Sequence, residues 1–398
     1  MEYSDHINTL TADAVSLLKE MIAIPSPSFE EDAVCSHISQ WLDSHGIEHK
    51  RIGNNIIAEH ISDPAGPTLM MCAHIDTVSP SPEYSFDPYK PENCPEDMVL
   101  GLGSNDDGAS VVSMIGAYRY MYGSGHAGRG IQNNPSHASL GPTPCGQGSS
   151  TVLNTPASMA SNSSTNLILV LTCEEERSGK NGMTGLWKEL EGKVDYAIVG
   201  EPTGMRAATA ERGLLVIDAT AHGVAGHAAR NEGKNALYIA LEDIEKLRKH
   251  EFSRVSPRMG KVNLNVTQIN AGSAHNVIPD RCDFVIDIRP TEQYTNEEIL
   301  EELQDICESE LKPRNLSNRS SATFENSPLQ KTAEILGIET FSSPTTSDWM
   351  RITCDAIKMG PGESSRSHKK DEYVFVEEIR KGIQTYIDFI NNYEHTLE

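Results

Sequence analysis

Apolar residues recur along this chain with two alternating periods, and the switch between them marks out the elements. "ADAVSLLKEMIAI" (12–24) repeats its apolar positions every three or four residues, as one face of a helix does. "PSPSFEEDAVCSHISQWLDSHG" (25–46) predicts a second helix, with Ser-Phe-Glu-Glu marking its start and Gly46 its end. "NNIIAEHI", "PTLMMCAHID", "NLILVLTC" and "VDYAIVG" are short apolar runs, the second and third almost unbroken, as in strands buried on both faces. "GMTGLWKELEG" lies between the last two with a helical period. Strands alternating with helices predict an α/β fold with a mostly parallel sheet flanked by helices.

The texture changes over residues 204–313. "GLLVIDATAHG", "KVNLNVTQI" and "CDFVIDIR" alternate strictly, while "NALYIALEDIEKLRKH" and "TNEEILEELQDICESEL" are helical, the latter opened by the Thr295 cap. This order predicts a small antiparallel α+β domain, ferredoxin-like, with helices on one face. "CDAIKMGPG" and "YVFVEEIRKGIQTYIDFINNY" then supply a further buried strand and a closing amphipathic helix. The first domain is therefore discontinuous, 1–203 with 314–398, and the second is inserted into it. Residues 123–165, rich in Gly, Ser, Pro, Asn and Thr and with Arg129 as the lone charge, show no apolar period and read as a disordered insertion.

Composition sharpens this only in part. A net charge of −24 argues against a nucleic-acid partner. Neither a leader-like start nor a long apolar run is present, so a soluble cytoplasmic protein is expected. The eight cysteines are scattered without a Cys-x-x-Cys pair and are expected to be reduced and mainly buried.

Ligands of doubly wound sheets bind beyond the carboxyl ends of the strands. There this chain places His74 and Asp76 in "AHIDTVSP", Asp106 and Asp107 in "GLGSNDDG", and Glu174, Glu175 and Glu176 in "CEEERSG". Glu201 follows in "GEPT" and His368 after "GPGESSRS". Singly, each reads as a turn or a cap. Together they assemble the imidazole and carboxylate donors that a borderline cation requires.

These motifs, in this order and spacing, resemble the dinuclear zinc deacylases and exopeptidases, a family that includes acetylornithine deacetylase, succinyl-diaminopimelate desuccinylase and the carboxypeptidase G type. "GHAAR", "HNVIPD" and "DIR" in the inserted domain extend the resemblance, which is nearest to acetylornithine deacetylase-like members. It implies two zinc ions per subunit, with Co or Mn as substitutes, bridged by Asp106. His74 and Glu201 would complete one ion's ligands, and Glu176 and His368 the other's. Asp76 would take the far nitrogen of His74, and Glu175 would be the general base, leaving Glu174 a solvated or salt-bridged flank. A cis peptide is implied at Asp106–Asp107.

In the inserted lid or dimerisation domain, the resemblance implies that His227 reaches a partner subunit's site and that Asn276 and Arg289 contact substrate. His222 and His275 read as ordinary polar residues. Leu102 and Gly108 depart from the family pattern around the bridging Asp, which leaves the acyl group and the amino acid open. The leading expectation is a homodimeric N-acetylornithine deacetylase of arginine biosynthesis acting on a small-molecule N-acyl amino acid. Alternatives are a deacylase of succinylornithine, acetylcitrulline or succinyl-diaminopimelate, a dipeptidase or carboxypeptidase, and an inactive binding protein.

Overall fold

The computed structural model describes residues 3–91, 94–122, 165–230 and 232–397. Residues 123–164 of the expected insertion lie outside the described residues. At the centre, strand Thr68–His74 pairs parallel with Asn166–Thr172 on one side and Tyr196–Val199 on the other. Asp355–Lys358 continues the parallel run beside Tyr196–Val199. The fold is thus α/β with the mostly parallel centre that the alternating pattern predicts.

The edges are mixed. Asn55–His60 runs antiparallel to Asn166–Thr172 and turns back into Lys50–Ile52. On the far side, Ala207–Glu211 pairs antiparallel with Ser321–Ala322 and parallel with Thr340–Ser343.

Unbroken apolar runs arise because this sheet has a core on each face. Leu69, Met71 and Ala73 enter the core under helices Tyr3–Ile22, Gly108–Tyr122 and Val376–Tyr393. Met70 and Cys72 enter the opposite core, with Leu186 and Trp187 of helix Met183–Leu190. Successive side chains point to opposite faces, so both sets must be apolar. Each fully buried Leu or Met contributes roughly 1.5–3 kcal/mol. Helices Gly108–Tyr122 and Val376–Tyr393 cross closely at two glycines. A Cβ on Gly116 would meet Ile383 at 3.0 Å, and one on Gly382 would meet Ser113 Oγ at 2.9 Å.

A second sheet, wholly antiparallel, has the order Asn263–Ala271, Arg281–Arg289, Leu215–His222, Glu310–Pro313. Leu215, Ile217, Ala219 and Ala221 face helices Ala236–Lys249 and Asn296–Ile306, while Val216, Asp218 and Thr220 alternate outward. Thr295 and Glu298 form a reciprocal cap that starts the second of these helices. Strand Glu310–Pro313 and the short ribbon of Gly226–His227 with Val277–Ile278 were not legible as strands.

Two local expectations are corrected. The first helix begins at Tyr3, not near Ala12; Ile7 and Leu10 are buried within its opening turns, but intervening polar residues mask the period. Ser28 does not cap the second helix, Asp32–Ser44, which starts without a side-chain cap. Its hydroxyl donates instead to Asp76 Oδ2 at 2.7 Å. Gly46 does end the helix, at φ +67°, donating its N–H to Asp43 O. Seven cysteines are free among the described residues. No described helix is long and apolar enough to cross a membrane.

Candidate metal centre

The parallel strands deliver their polar residues to one end of the sheet. His74 closes its strand, and Glu201 follows Tyr196–Val199 after one glycine. Asp106 lies in the loop between Met98–Leu100 and helix Gly108–Tyr122, and His368 follows a helical turn at Ser364–Arg366. His74 Nε2 is 3.2 Å from Asp106 Oδ1, and His368 Nε2 is 3.6 Å from Asp106 Oδ2. His368 Nε2 also lies 3.0 Å from the Glu176 carboxylate. Donor atoms of His74, Asp106 and Glu176 all lie within 4.8 Å of one another, as do those of His74, Glu175 and Glu201. Every ligand expected from the motifs is therefore in one cluster, with His74 and Asp106 at its middle.

Adjacent glutamates share the cluster because the chain folds tightly as it leaves the sheet. Glu174 adopts φ +60°, and Glu175–Arg177 forms a single helical turn. The Asp76 carboxylate anchors that turn, Oδ1 accepting the Glu175 N–H at 3.0 Å and Oδ2 the Glu176 N–H at 3.1 Å. His74 Nδ1 is 3.0 Å from the Asp76 carbonyl oxygen and 3.4 Å from Asp76 Oδ1. Asp76 thus backs His74 chiefly through its main chain, while its carboxylate serves the turn.

Glu174 is not the solvated flank expected of it. It is buried; its N–H donates to Glu31 Oε1, and its carboxylate accepts the Asn181 N–H at 3.0 Å and Asn181 Nδ2 at 2.7 Å. Gly179 makes room, since a Cβ there would fall 2.1 Å from Glu174 Oε2.

Electrostatics fit a cation. Burial, together with nearby carboxylates, pushes the carboxyls of Glu175 and Glu201 well above the ordinary range. Burial opposes charging His74, but hydrogen bonds to Asp106 and Asp76 outweigh it and raise the imidazole well above its usual value. Four carboxylates crowded at one mouth repel one another when ionised, and divalent cations that accept mixed nitrogen and oxygen donors match them together with the two imidazoles.

Three buried acids beside the cluster were given no role by the motifs. Asp107, joined to Asp106 by the implied cis peptide, is pushed up to about 8 by burial. Asp348 accepts the Thr172 hydroxyl at 2.7 Å and is pushed by burial up to about 6. Glu372, four residues after His368, is likewise pushed by burial up to about 8. Asp348 and Glu372 stand in no recognisable motif; their burial is the signal, and it exists only in the fold. Gly108 starts its helix where a Cβ would lie 2.4 Å from the Gly103 carbonyl, which explains the small residue there.

The inserted-domain residues sit apart from this cluster. His227 pairs with Val277 on the short ribbon, and the Ala228 N–H donates to Asn276 O at 3.1 Å, so His227 and Asn276 are neighbours. Arg289 makes two hydrogen bonds to Asp287, at 2.8 and 3.1 Å. Among the described residues, none of the three bonds to a side chain of the cluster. His222 pairs with Glu310, and His275 is exposed.

Residues 209–315 match the model of a peptidase dimerisation domain. Succinyl-diaminopimelate desuccinylase of Wolbachia pipientis subsp. Culex pipiens (strain wPip) is 24% identical, over 96% of this chain and 93% of its own. Acetylornithine deacetylase of Myxococcus xanthus is 28% identical over 54% of this chain and 61% of its own. Among solved structures, the Bacillus subtilis YXEP protein, a dinuclear metal-binding peptidase from the M20 family, superposes with a TM-score of 0.67 at 14% identity. That match covers 96% of this chain and 98% of the other.

Proposed function

We propose that this chain is a metal-dependent hydrolase of the M20 kind that removes the acyl group of an N-acyl amino acid, N-acetyl-L-ornithine first among them; the dimerisation-domain match over residues 209–315 and the desuccinylase relative, 24% identical over 96% of the chain, support that reading. The observation that carries this reading is the Glu175–Glu176 turn. It sets one carboxylate with Glu201 and His74 and its neighbour with Asp106 and His74.

In this reading His74, Asp106 and Glu201 would hold one zinc ion, and Asp106, Glu176 and His368 the other. When bound, the ions supply a water of lowered pKa and a polarised amide carbonyl. Glu175 takes the proton of the attacking water as the C–O bond forms and the carbonyl becomes an oxyanion, then hands it to the amine nitrogen as the carbonyl re-forms and the C–N bond breaks. A carboxyl that burial raises is suited to carrying that proton near neutral pH. Asp76 keeps the Glu175–Glu176 turn and the His74 ring in place.

The dimerisation-domain match supports a homodimer in which His227 of one protomer stabilises the oxyanion in the other's site. Asn276, beside His227, and Arg289, whose planar fork suits a carboxylate, then contact the substrate. The reading places the enzyme in the cytoplasm, in arginine biosynthesis.

A second reading, N-succinyl-diaminopimelate as substrate, is favoured by the desuccinylase relative, which spans 96% of this chain. Succinylornithine, acetylcitrulline and dipeptides complete the set to be tested. Amine release from this panel, with zinc and then with chelator, decides among them. Dominance of an acyl-ornithine, abolished by chelation, is the expected result. Turnover of dipeptides alone would sink the deacylase reading.

A further inference from the structure

Glu372 is 2% exposed and has no role in the reading above. Its Oε1 accepts the N–H groups of Asn105 and Asp106, both at 2.9 Å, and its Oε2 accepts the Gly103 N–H at 3.2 Å. Its carbonyl takes the Gly101 N–H at 2.9 Å. A single carboxyl group thus gathers three main-chain donors of the loop that presents Asp106, groups that burial would otherwise leave unpaired.

The segment carrying Glu372 also carries His368. Asn105 supplies a second link between the two, its Nδ2 donating to Glu363 O at 3.2 Å and its Oδ1 accepting the Glu363 N–H at 2.9 Å. Asp106 and His368 are therefore held on one stitched unit, as Glu175 and Glu176 are held by Asp76.

We propose that Glu372 is a positioning residue that fixes the main chain of Asp106 relative to His368, so that the centre takes up its metal ions tightly only while this carboxylate holds the 103–106 loop. The proposal rests on the metal-hydrolase reading. Hydrogen-bonding partners that orient ligands typically change metal affinity 10- to 100-fold when altered, by roughly that factor in either ion's binding. A residue that only stabilised the fold would lower the melting temperature and leave the affinity of the folded chain unchanged.

The test uses the full chain, stripped with chelator and titrated with Co(II), followed by visible absorption and calorimetry alongside thermal unfolding. Glu372→Gln keeps one acceptor oxygen but turns an amide N–H toward a main-chain donor; Glu372→Ala removes both acceptors. The wild-type chain is expected to bind two ions, and Glu372→Gln to bind them about 10- to 100-fold more weakly with an altered cobalt spectrum. Asp371→Asn, which keeps an acceptor for the Ser85 N–H, is expected to match wild type. Should Glu372→Ala fail to fold, Glu372→Gln carries the result. Wild-type affinity and spectrum in Glu372→Gln overturn the proposal alone, whatever its melting temperature. A wild-type chain that takes up no cobalt overturns the metal reading and this proposal with it.

Discussion

Asp76 and Glu175 meet through the main chain: the Glu175 N–H donates to Asp76 Oδ1 at 3.0 Å, while the Glu175 carboxylate converges with the Glu201 carboxylate and the His74 imidazole. The backbone contact orients the turn, and the side chain is left to the chemistry.

Glu175→Gln therefore separates the base from the ligands. It is expected to lower kcat by about 10²- to 10⁴-fold, the usual contribution of a positioned base. Metal content by elemental analysis should stay at two ions per chain. Loss of the ions together with the activity would assign Glu175 to metal binding instead.

The dimer proposal has its own check. Glu175→Gln and His227→Ala are each expected to be nearly inactive, yet a refolded equimolar mixture should recover about a quarter of wild-type activity. Half of the dimers are then hybrids, each with one intact site. A mixture no more active than its parts would show that His227 does not serve a neighbouring site.

Lys358 and Glu211 form an ion pair of 3.0 Å with side chains 1% and 0% exposed, and Ser347 Oγ donates to the same Glu211 oxygen at 2.7 Å. Removing one partner strands a buried charge. Lys358→Ala is expected to lower unfolding free energy by about 3–5 kcal/mol in urea titrations, and Lys358→Met with Glu211→Leu to recover most of it. A single-variant loss below about 1 kcal/mol would contradict this account.

Asp243, within helix Ala236–Lys249, holds the link between helix Asn296–Ile306 and strand Glu310–Pro313, accepting from the Glu308 N–H, the Ser309 N–H and the Ser309 hydroxyl. Burial opposes its charge, but these bonds prevail and hold its carboxyl below the ordinary value of 3.8. A depressed carboxyl contributes stability that is present above the unfolded value and lost as pH falls through the folded one. Asp243→Ala is expected to cost about 1–3 kcal/mol at pH 7, with the gap from wild type narrowing below about pH 4. A gap independent of pH would assign the loss to packing.

Local pattern was sufficient where burial alone dictates residue choice. Leu69 to Ala73 must be apolar on both faces of a covered strand, and Leu215 to Ala221 must alternate on a half-covered one, so both sheets were legible as strands. Pairing direction at the edges was not, because Asn55–His60 could satisfy its apolar pattern in either sense, and the path of the chain decides.

By itself, then, the sequence determined the class of fold and the residues standing at the strand ends, since hydrophobic period and polar interruptions are written residue by residue. Only the tertiary structure decided that Glu174 turns inward, that Ser28 serves Asp76 rather than a helix, and that Glu372 gathers the Asp106 loop. Each rests on bonds between distant segments, as in the 48 residues from Ser28 to Asp76 and the 266 from Asp106 to Glu372. A carboxylate at a turn looks the same in sequence whether water or three backbone N–H groups receive it; which of them does is settled by what the fold packs against it.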